Sequence, residues 1–281
     1  MDGDDLGHRH ACNALARWLG AHRAIFVLTG AGISTASGIP DYRDAAGAWK
    51  RRPPVTYQAF VGDEAVRKRY WARSFIGWPL IQYAQPTAAH HAIKGIAATG
   101  RMSLLVTQNV DGLHARAGHT GVVDLHGRLD EVVCLRCAHR IPRARVQELL
   151  ADAHPEWRGI TAASAPDGDA DLDHMDLSTF TPPACPECGG MLKPDVVFFG
   201  ENVPRARVDA SFAALKASDA MLVTGSSLMV YSGYRFARMA REAGLPLAIL
   251  TRGVTRADDI ATLKLDADCD TVLREALHAM G

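Results

Sequence analysis

Five short apolar runs recur along the chain, at residues 24–29, 102–107, 122–127, 219–224 and 245–250, each bounded by polar, glycine or proline-containing segments. Runs of that length read as buried strands, because a helix needs a longer apolar period to cover a core. Between them lie segments of helical period: residues 11–22 set Ala14, Leu15, Trp18 and Leu19 on one face, and further helices are expected over 232–243 and from Asp270 onward. Alternation of this kind predicts an α/β fold with a doubly wound, Rossmann-like parallel sheet. The stretch from Lys193 to Pro204 is expected to return the chain to the larger domain, its apolar strand serving either as plain core or as an edge for an extended peptide.

Two segments interrupt the alternation. Residues 44–90 pass through Arg51-Arg-Pro-Pro-Val-Thr56 and then carry Tyr70, Trp71, Phe75 and Trp78, which predicts a helical insertion or lid over the ligand cleft. Those aromatics read as the insertion's own core, since no basic stripe accompanies them as a base-stacking surface would require. Residues 131–193 hold two Cys-x-x-Cys pairs around an acidic stretch, 164–176. The expected organisation is a discontinuous nucleotide-binding domain (1–43, 91–130, 194–281), the insertion (44–90) and a smaller metal-binding module (131–193).

Composition narrows the function classes. With 281 residues, 48% apolar and 22% charged, the chain can bury a substantial core. Lys plus Arg and Asp plus Glu each number 31, so no global positive field favours nucleic acid or an anionic membrane. No run of 18 apolar residues is present and the first residues, Met1-Asp-Gly-Asp-Asp-Leu, are acidic, which argues against a membrane span or a targeting leader and for a cytoplasmic protein.

The pairs Cys134/Cys137 and Cys185/Cys188 leave Cys12 and Cys269 over. Each pair can present two thiolates from a tight knuckle, and two knuckles complete a tetrahedral Cys₄ zinc site. With four protein ligands no position remains for a reactive water, so the metal is expected to brace the fold. The acidic run Asp167-Gly-Asp-Ala-Asp-Leu-Asp173 lacks the glycine and glutamate of a calcium loop, having Leu172 and Ser178 at those places.

Chemistry is expected where strands end. Gly30-Ala-Gly-Ile-Ser34 follows the first strand, where small residues let backbone N–H groups approach a phosphate and a following helix start adds partial positive charge. A dehydrogenase fingerprint would need glycine at Thr35 and an acidic residue near Lys50, so the loop is not the hydride-transfer version. Gly225-Ser-Ser-Leu228 is a second such turn. Gln108-Asn-Val-Asp-Gly112 clusters amide and carboxylate groups after another strand, although it is also ordinary turn chemistry. His126, at the end of the 122–127 run, is the candidate general base because an imidazole titrates near neutrality.

Taken together, Gly30-Ala-Gly-Ile-Ser-x-x-Ser-Gly-Ile-Pro-Asp-Tyr-Arg43, Thr107-Gln-Asn-Val-Asp-Gly-Leu-His114, Leu125-His-Gly127, the cysteine pairs, Phe198-Phe-Gly-Glu201 and Gly225-Ser-Ser-Leu228 resemble the sirtuin family in identity and order. Arg69-Tyr-Trp-Ala-Arg73 and Val230-Tyr-Ser-Gly-Tyr-Arg235 look most like its class II branch. The resemblance implies an NAD-consuming protein lysine deacylase acting on acyl-lysine proteins, with a zinc-bearing small domain. Its chemistry would be attack of the acyl oxygen on the nicotinamide ribose, release of nicotinamide, and transfer of the acyl group to ADP-ribose with His126 as base.

By the same resemblance, Asn109 and Asp111 orient the ribose and the nicotinamide amide, Gln108 binds ribose, and Ile39, Pro40, Asp41 and Tyr42 surround the nicotinamide. Gly30, Ala31, Gly32, Ser34 and Arg43, facing Gly225, Ser226 and Ser227, would hold the diphosphate and adenosine ribose, with Thr251, Gly253 and Cys269 toward the adenosine. Val197, Phe199, Gly200 and Glu201 match the peptide-binding edge. Thr251 stands where the family usually has asparagine and cannot make both amide hydrogen bonds, so weaker NAD binding is expected. Tyr70-x-x-Arg73 is similar to a pair that reads acidic acyl groups in another branch. Two other functions fit parts of the pattern: protein mono-ADP-ribosyl transfer from the same NAD site, and a non-enzymatic zinc-ribbon binding module.

Overall fold

A computed structural model describes residues 3–41, 44–50, 54–160 and 176–280; Tyr42, Arg43 and the acidic run 167–173 lie outside the described residues. In chain order the elements are α1 (Gly3–Ala21), β1 (Ile25–Thr29), α2 (Tyr57–Gly62), α3 (Glu64–Tyr83), α4 (Ala88–Ala98), β2 (Met102–Thr107), α5 (Leu113–Arg116), β3 (Val122–Asp124) and β4 (Gly127–Cys134). There follow β5 (Arg140–Pro142), α6 (Arg143–Ala153), β6 (Leu192–Val196), α7 (Arg205–Lys216), β7 (Ala220–Thr224), α8 (Tyr231–Glu242), β8 (Leu247–Leu250), β9 (Leu263–Leu265) and α9 (Cys269–His278).

Six parallel strands form the larger sheet in the order β3-β2-β1-β7-β8-β9. Successive β1 side chains point to opposite faces, and both faces are covered: Ile25 and Val27 pack with α1, α4 and α9 residues, Phe26 and Leu28 with α7 and α8 residues. That double coverage explains why the strand reads as a continuous apolar run. Strand order reverses across β1, with β2 on one side and β7 on the other, which opens a crevice at the carboxyl ends of these two central strands.

The second sheet has three antiparallel strands, β5-β4-β6. Residues in the segment expected to lead back to the larger domain still belong to this sheet: β6 pairs with β4, matching Lys193 to Val133 and Leu192 to Cys134. Its core is shared with the helical insertion, since Trp71, Phe75 and Trp78 of α3 pack with Val132, Val146, Leu150 and Phe180. The aromatics are thus core, as expected, but of two segments jointly. Arg143, 1% exposed, ties α6 to α3. Its guanidinium donates to the Ser74 carbonyl at 3.0 Å and lies 5.0 Å from the Trp78 ring centroid, so a charge placed deep in a core is both hydrogen-bonded and stacked.

Candidate functional site

The glycine loops meet at the crevice. Gly30 N–H donates to the Thr224 carbonyl (3.1 Å) and Gly32 N–H to the Gly225 carbonyl (2.8 Å), so the ends of β1 and β7 are joined by backbone alone. Gly225 has φ +65°, and a Cβ there would stand 2.4 Å from the Ile33 amide nitrogen, so both conformation and contact require glycine. The helix expected after Gly30 is instead two short 3₁₀ turns, Ala31–Ile33 and Thr35–Ser37, ended by Gly38 at φ +82°. Any anion at this loop is therefore held by individual N–H groups, without a helix macrodipole.

Behind the loop, four groups form a buried chain. The Asn109 amide donates to the Gly30 carbonyl and to Ser34 Oγ, each at 3.1 Å, and the Ser34 hydroxyl donates to Asp111 Oδ2 at 2.7 Å. The other Asp111 oxygen accepts from Leu113 N–H at 2.9 Å. On the opposite side the Ser226 hydroxyl donates to Gln108 Oε1 at 2.6 Å. Each of these side chains already has a partner, so the walls are fixed before a ligand arrives.

His126 lies in the turn between β3 and β4. Its Nδ1 is 2.8 Å from the Gln108 carbonyl oxygen, which can only accept, so the proton of the neutral ring sits on Nδ1. That leaves a lone pair on Nε2, which takes a hydrogen bond from the Ser232 hydroxyl at 2.8 Å. Burial lowers the His126 pKa to about 4, against the Gln108 hydrogen bond and assisted by the positive charges of Arg235 and Arg207. A neutral imidazole with Nε2 facing the crevice is the form a proton acceptor needs.

These groups line one cleft of about 1190 Å³, larger than the about 300–1,000 Å³ usual for single small-molecule sites. Gly30, Ala31, Gly32, Ser34, Ile39, Pro40 and Asp41 line it, as do Gln108, Asn109, Asp111 and His126. So do Gly225, Ser226, Ser227, Thr251 and Cys269, and at the small-sheet side Val197, Phe199, Gly200 and Glu201. Gly253 is not among the lining residues; it packs on the backbone of Ala45, where a Cβ would come within 2.4 Å of the carbonyl oxygen. Tyr70 lines the cleft while Arg73 does not. Asp41 pairs with Lys50.

The peptide-matching edge is braced from beneath. Glu201 turns its carboxylate to the Phe198 N–H (2.7 Å) and to the buried Lys193 ammonium (3.0 Å), which also donates to the Val196 carbonyl (2.6 Å). Val197 N–H donates to the His126 carbonyl (2.7 Å) and the Phe199 carbonyl accepts from Tyr57 N–H (2.8 Å), which ties this edge to the His126 turn and to α2. Lys193 and Ser232 were not singled out from sequence: a lone lysine in a strand and a serine in a helix's first turn carry no distinguishing spacing, and only the fold brings them to Glu201 and His126.

The four cysteines expected to bind metal converge. Sγ separations are 3.5 Å for Cys134–Cys188, 3.4 Å for Cys137–Cys188 and 3.8 Å for Cys137–Cys185, against about 3.8 Å for the edges of a tetrahedron with Zn–S bonds of about 2.3 Å. Gly190 is required beside them, since a Cβ there would meet Cys134 Sγ at 2.9 Å. The donor set and its spacing fit zinc.

A doubly wound sheet with two glycine loops at its switch point and a four-thiolate module alongside defines a nucleotide-binding, zinc-braced protein. Residues 30–232 match the Sir2 family, and the chain belongs to that family. It is 57% identical over 264 residues to an NAD-dependent protein deacetylase of Bordetella bronchiseptica, covering 94% of this chain and 96% of the relative. It is 47% identical over 262 residues to bovine mitochondrial sirtuin-4, named an NAD-dependent protein lipoamidase, covering 92% and 83%. Among solved structures it resembles a Sir2 complex with a p53 peptide and NAD⁺, with TM-score 0.74, 28% identity and coverage of 93% and 95%.

Proposed function

We infer that this chain is an NAD-dependent protein deacetylase of the sirtuin type, with NAD as co-substrate and one structural zinc ion. The observation that carries the reading is His126, its Nδ1 proton held by a backbone carbonyl and its Nε2 lone pair offered to a hydroxyl within the cleft. The Ser232 hydroxyl occupies the place from which a ribose hydroxyl would give up its proton. The names of the bacterial relatives support the same activity.

Position in the cleft supports the following residue roles. Asn109 and Asp111, held by Ser34 and the Gly30 carbonyl, orient the nicotinamide ribose and amide, and Ile39, Pro40 and Asp41 close the nicotinamide pocket. Gly30, Ala31, Gly32 and Ser34, opposite Gly225, Ser226 and Ser227, hold the diphosphate and adenosine ribose, with Gln108 between them. Thr251 and Cys269 border the adenosine, and Gly253 supports that wall from behind through Ala45. Residues Val197, Phe199, Gly200 and Glu201 supply the edge that receives an extended acyl-lysine peptide. Bound NAD would supply nicotinamide as leaving group, and the fixed side chains lining the cleft would shield the reacting sugar from water.

We keep a large-sheet domain as one unit, supported by its own two cores, and join the insertion to the small sheet, with which it shares a third core that takes in β4 and β6. No helix among the described residues is long and apolar enough to cross a membrane. Use of four cysteines as a metal cluster and not as a disulfide framework supports a reducing compartment such as the cytoplasm. The balanced charge supports protein rather than nucleic acid as the partner.

The test is incubation with NAD and a panel of acetyl-, longer-acyl-, lipoyl- and acidic-acyl-lysine peptides, reading nicotinamide and peptide mass together. Deacylated peptide and nicotinamide are expected from the wild type and neither from His126→Ala, with fold and zinc retained. A peptide that gains ADP-ribose instead would make the chain a transferase, and a fully active His126→Ala would sink the mechanism.

A further inference from the structure

Outside the cleft and the Cys₄ module, a second group of metal-ligating side chains converges where the first and last helices pack together. α1 places His8 and Cys12 one turn apart on the same face, and α9 brings Glu275 against both. His8 Nε2 lies 2.9 Å from Glu275 Oε2, Cys12 Sγ 3.3 Å from the same oxygen, and Cys12 Sγ 3.6 Å from His8 Nε2. We propose that His8, Cys12 and Glu275 form a second divalent-metal site of the zinc class, with three protein ligands and a fourth position open to solvent.

The geometry carries this. With Zn–N and Zn–O of about 2.0–2.1 Å and Zn–S of about 2.3 Å, tetrahedral edges are about 3.3 Å between nitrogen and oxygen and about 3.5–3.6 Å from sulfur to either. Each separation here lies within about half an ångström of its ideal edge, so an ion is accommodated by small side-chain rotations without moving a helix. Imidazole, thiolate and carboxylate together suit zinc better than magnesium or calcium, which take oxygen alone.

Access is one-sided. Cys12 is 6% exposed, whereas the side chains of His8 and Glu275 keep 31% and 43% of their surface, so the sulfur forms the floor and the other two groups the lip. Entry of the ion displaces the thiol proton to solvent and leaves a sulfur–metal bond; no electron changes hands. The ion would join α1 to α9, the helix whose first residue, Cys269, borders the cleft.

The experiment uses the full chain with its Cys₄ site already filled with zinc. Added zinc, quantified by mass spectrometry after removal of free ion, is expected to bind as a second equivalent and to raise the melting temperature. Added cobalt is expected to give the near-ultraviolet thiolate-to-cobalt band. Cys12→Ser and Glu275→Gln are expected to lose the extra equivalent and the temperature shift while melting like the untreated wild type, and Cys12→Ser to lose the band. A wild type that saturates at one equivalent without a band overturns the site, as does a band that persists in Cys12→Ser.

Discussion

Ser232 meets the free nitrogen of His126. In the neutral ring its hydroxyl donates to the Nε2 lone pair, a contact that favours that form beside the burial that lowers the pKa. Ser232→Ala removes the donor and is expected to raise the His126 pKa, moving the acidic limb of the kcat/KM profile to higher pH while the plateau falls less than about tenfold. A pH–rate profile of the variant that superimposes on the wild type would show that the hydroxyl has no hold on the base. In the proposed mechanism a substrate hydroxyl takes the serine's place, whereas nothing substitutes for the imidazole or for the Gln108 carbonyl that fixes its tautomer.

At the level of loops and strands, the close approach of two turns matters more than any side chain in them. Gly225→Ala forces an L-residue to φ +65° and drives its Cβ into the Ile33 amide. The left-handed conformation alone costs about 1–3 kcal/mol. The variant is expected to melt lower and to bind NAD at least about tenfold more weakly, a loss of about 1.4 kcal/mol, because the Gly30–Ser34 backbone must shift. Calorimetric titration with NAD checks this, and an unchanged dissociation constant would count against a shared phosphate cradle. The small sheet depends likewise on its knuckles: Cys134 and Cys185 belong to the core that also holds Trp71, Trp78 and Trp157. Stripping zinc with a chelator is therefore expected to change tryptophan fluorescence and abolish turnover together, with both restored by zinc.

For the molecule as a whole, buried histidines set the acid limit. Burial lowers His90 and His126 to about 4, and His114 well below its ordinary range. Unfolded, these rings take up protons near pH 6.5, so between about 6.5 and 4 the unfolded chain binds more protons and stability falls as pH drops. Asp124 works the other way: burial raises it to about 6, so the native state keeps its proton where the unfolded chain has lost it, adding stability as pH falls through the same window. Three histidines against one carboxyl predict a net loss. Urea denaturation is expected to give a lower midpoint at pH 5 than at pH 7, and equal midpoints would mean the rings are not held neutral.

Much of this fold is legible in the chain because its strands are buried on both faces and end in turn residues: the run 102–107 coincides with β2, and 219–224 contains β7. The convergence of the four cysteines and the place of His126 in the cleft are legible for a related reason, since each stands in a short local pattern that needs few neighbours. Contacts between segments distant along the chain are a different matter. The pairing of β6 with β4, the absence of a helix after Gly30, the burial of Arg143 over α3, the pairing of Lys193 with Glu201, and Ser232 on His126 all depend on which surfaces meet. Periodicity specifies which face of an element is apolar, and side-chain type specifies what a residue is able to do. Only packing assigns its partner, because a hydrogen bond or ion pair takes effect within a few ångströms and carries no trace in residue order.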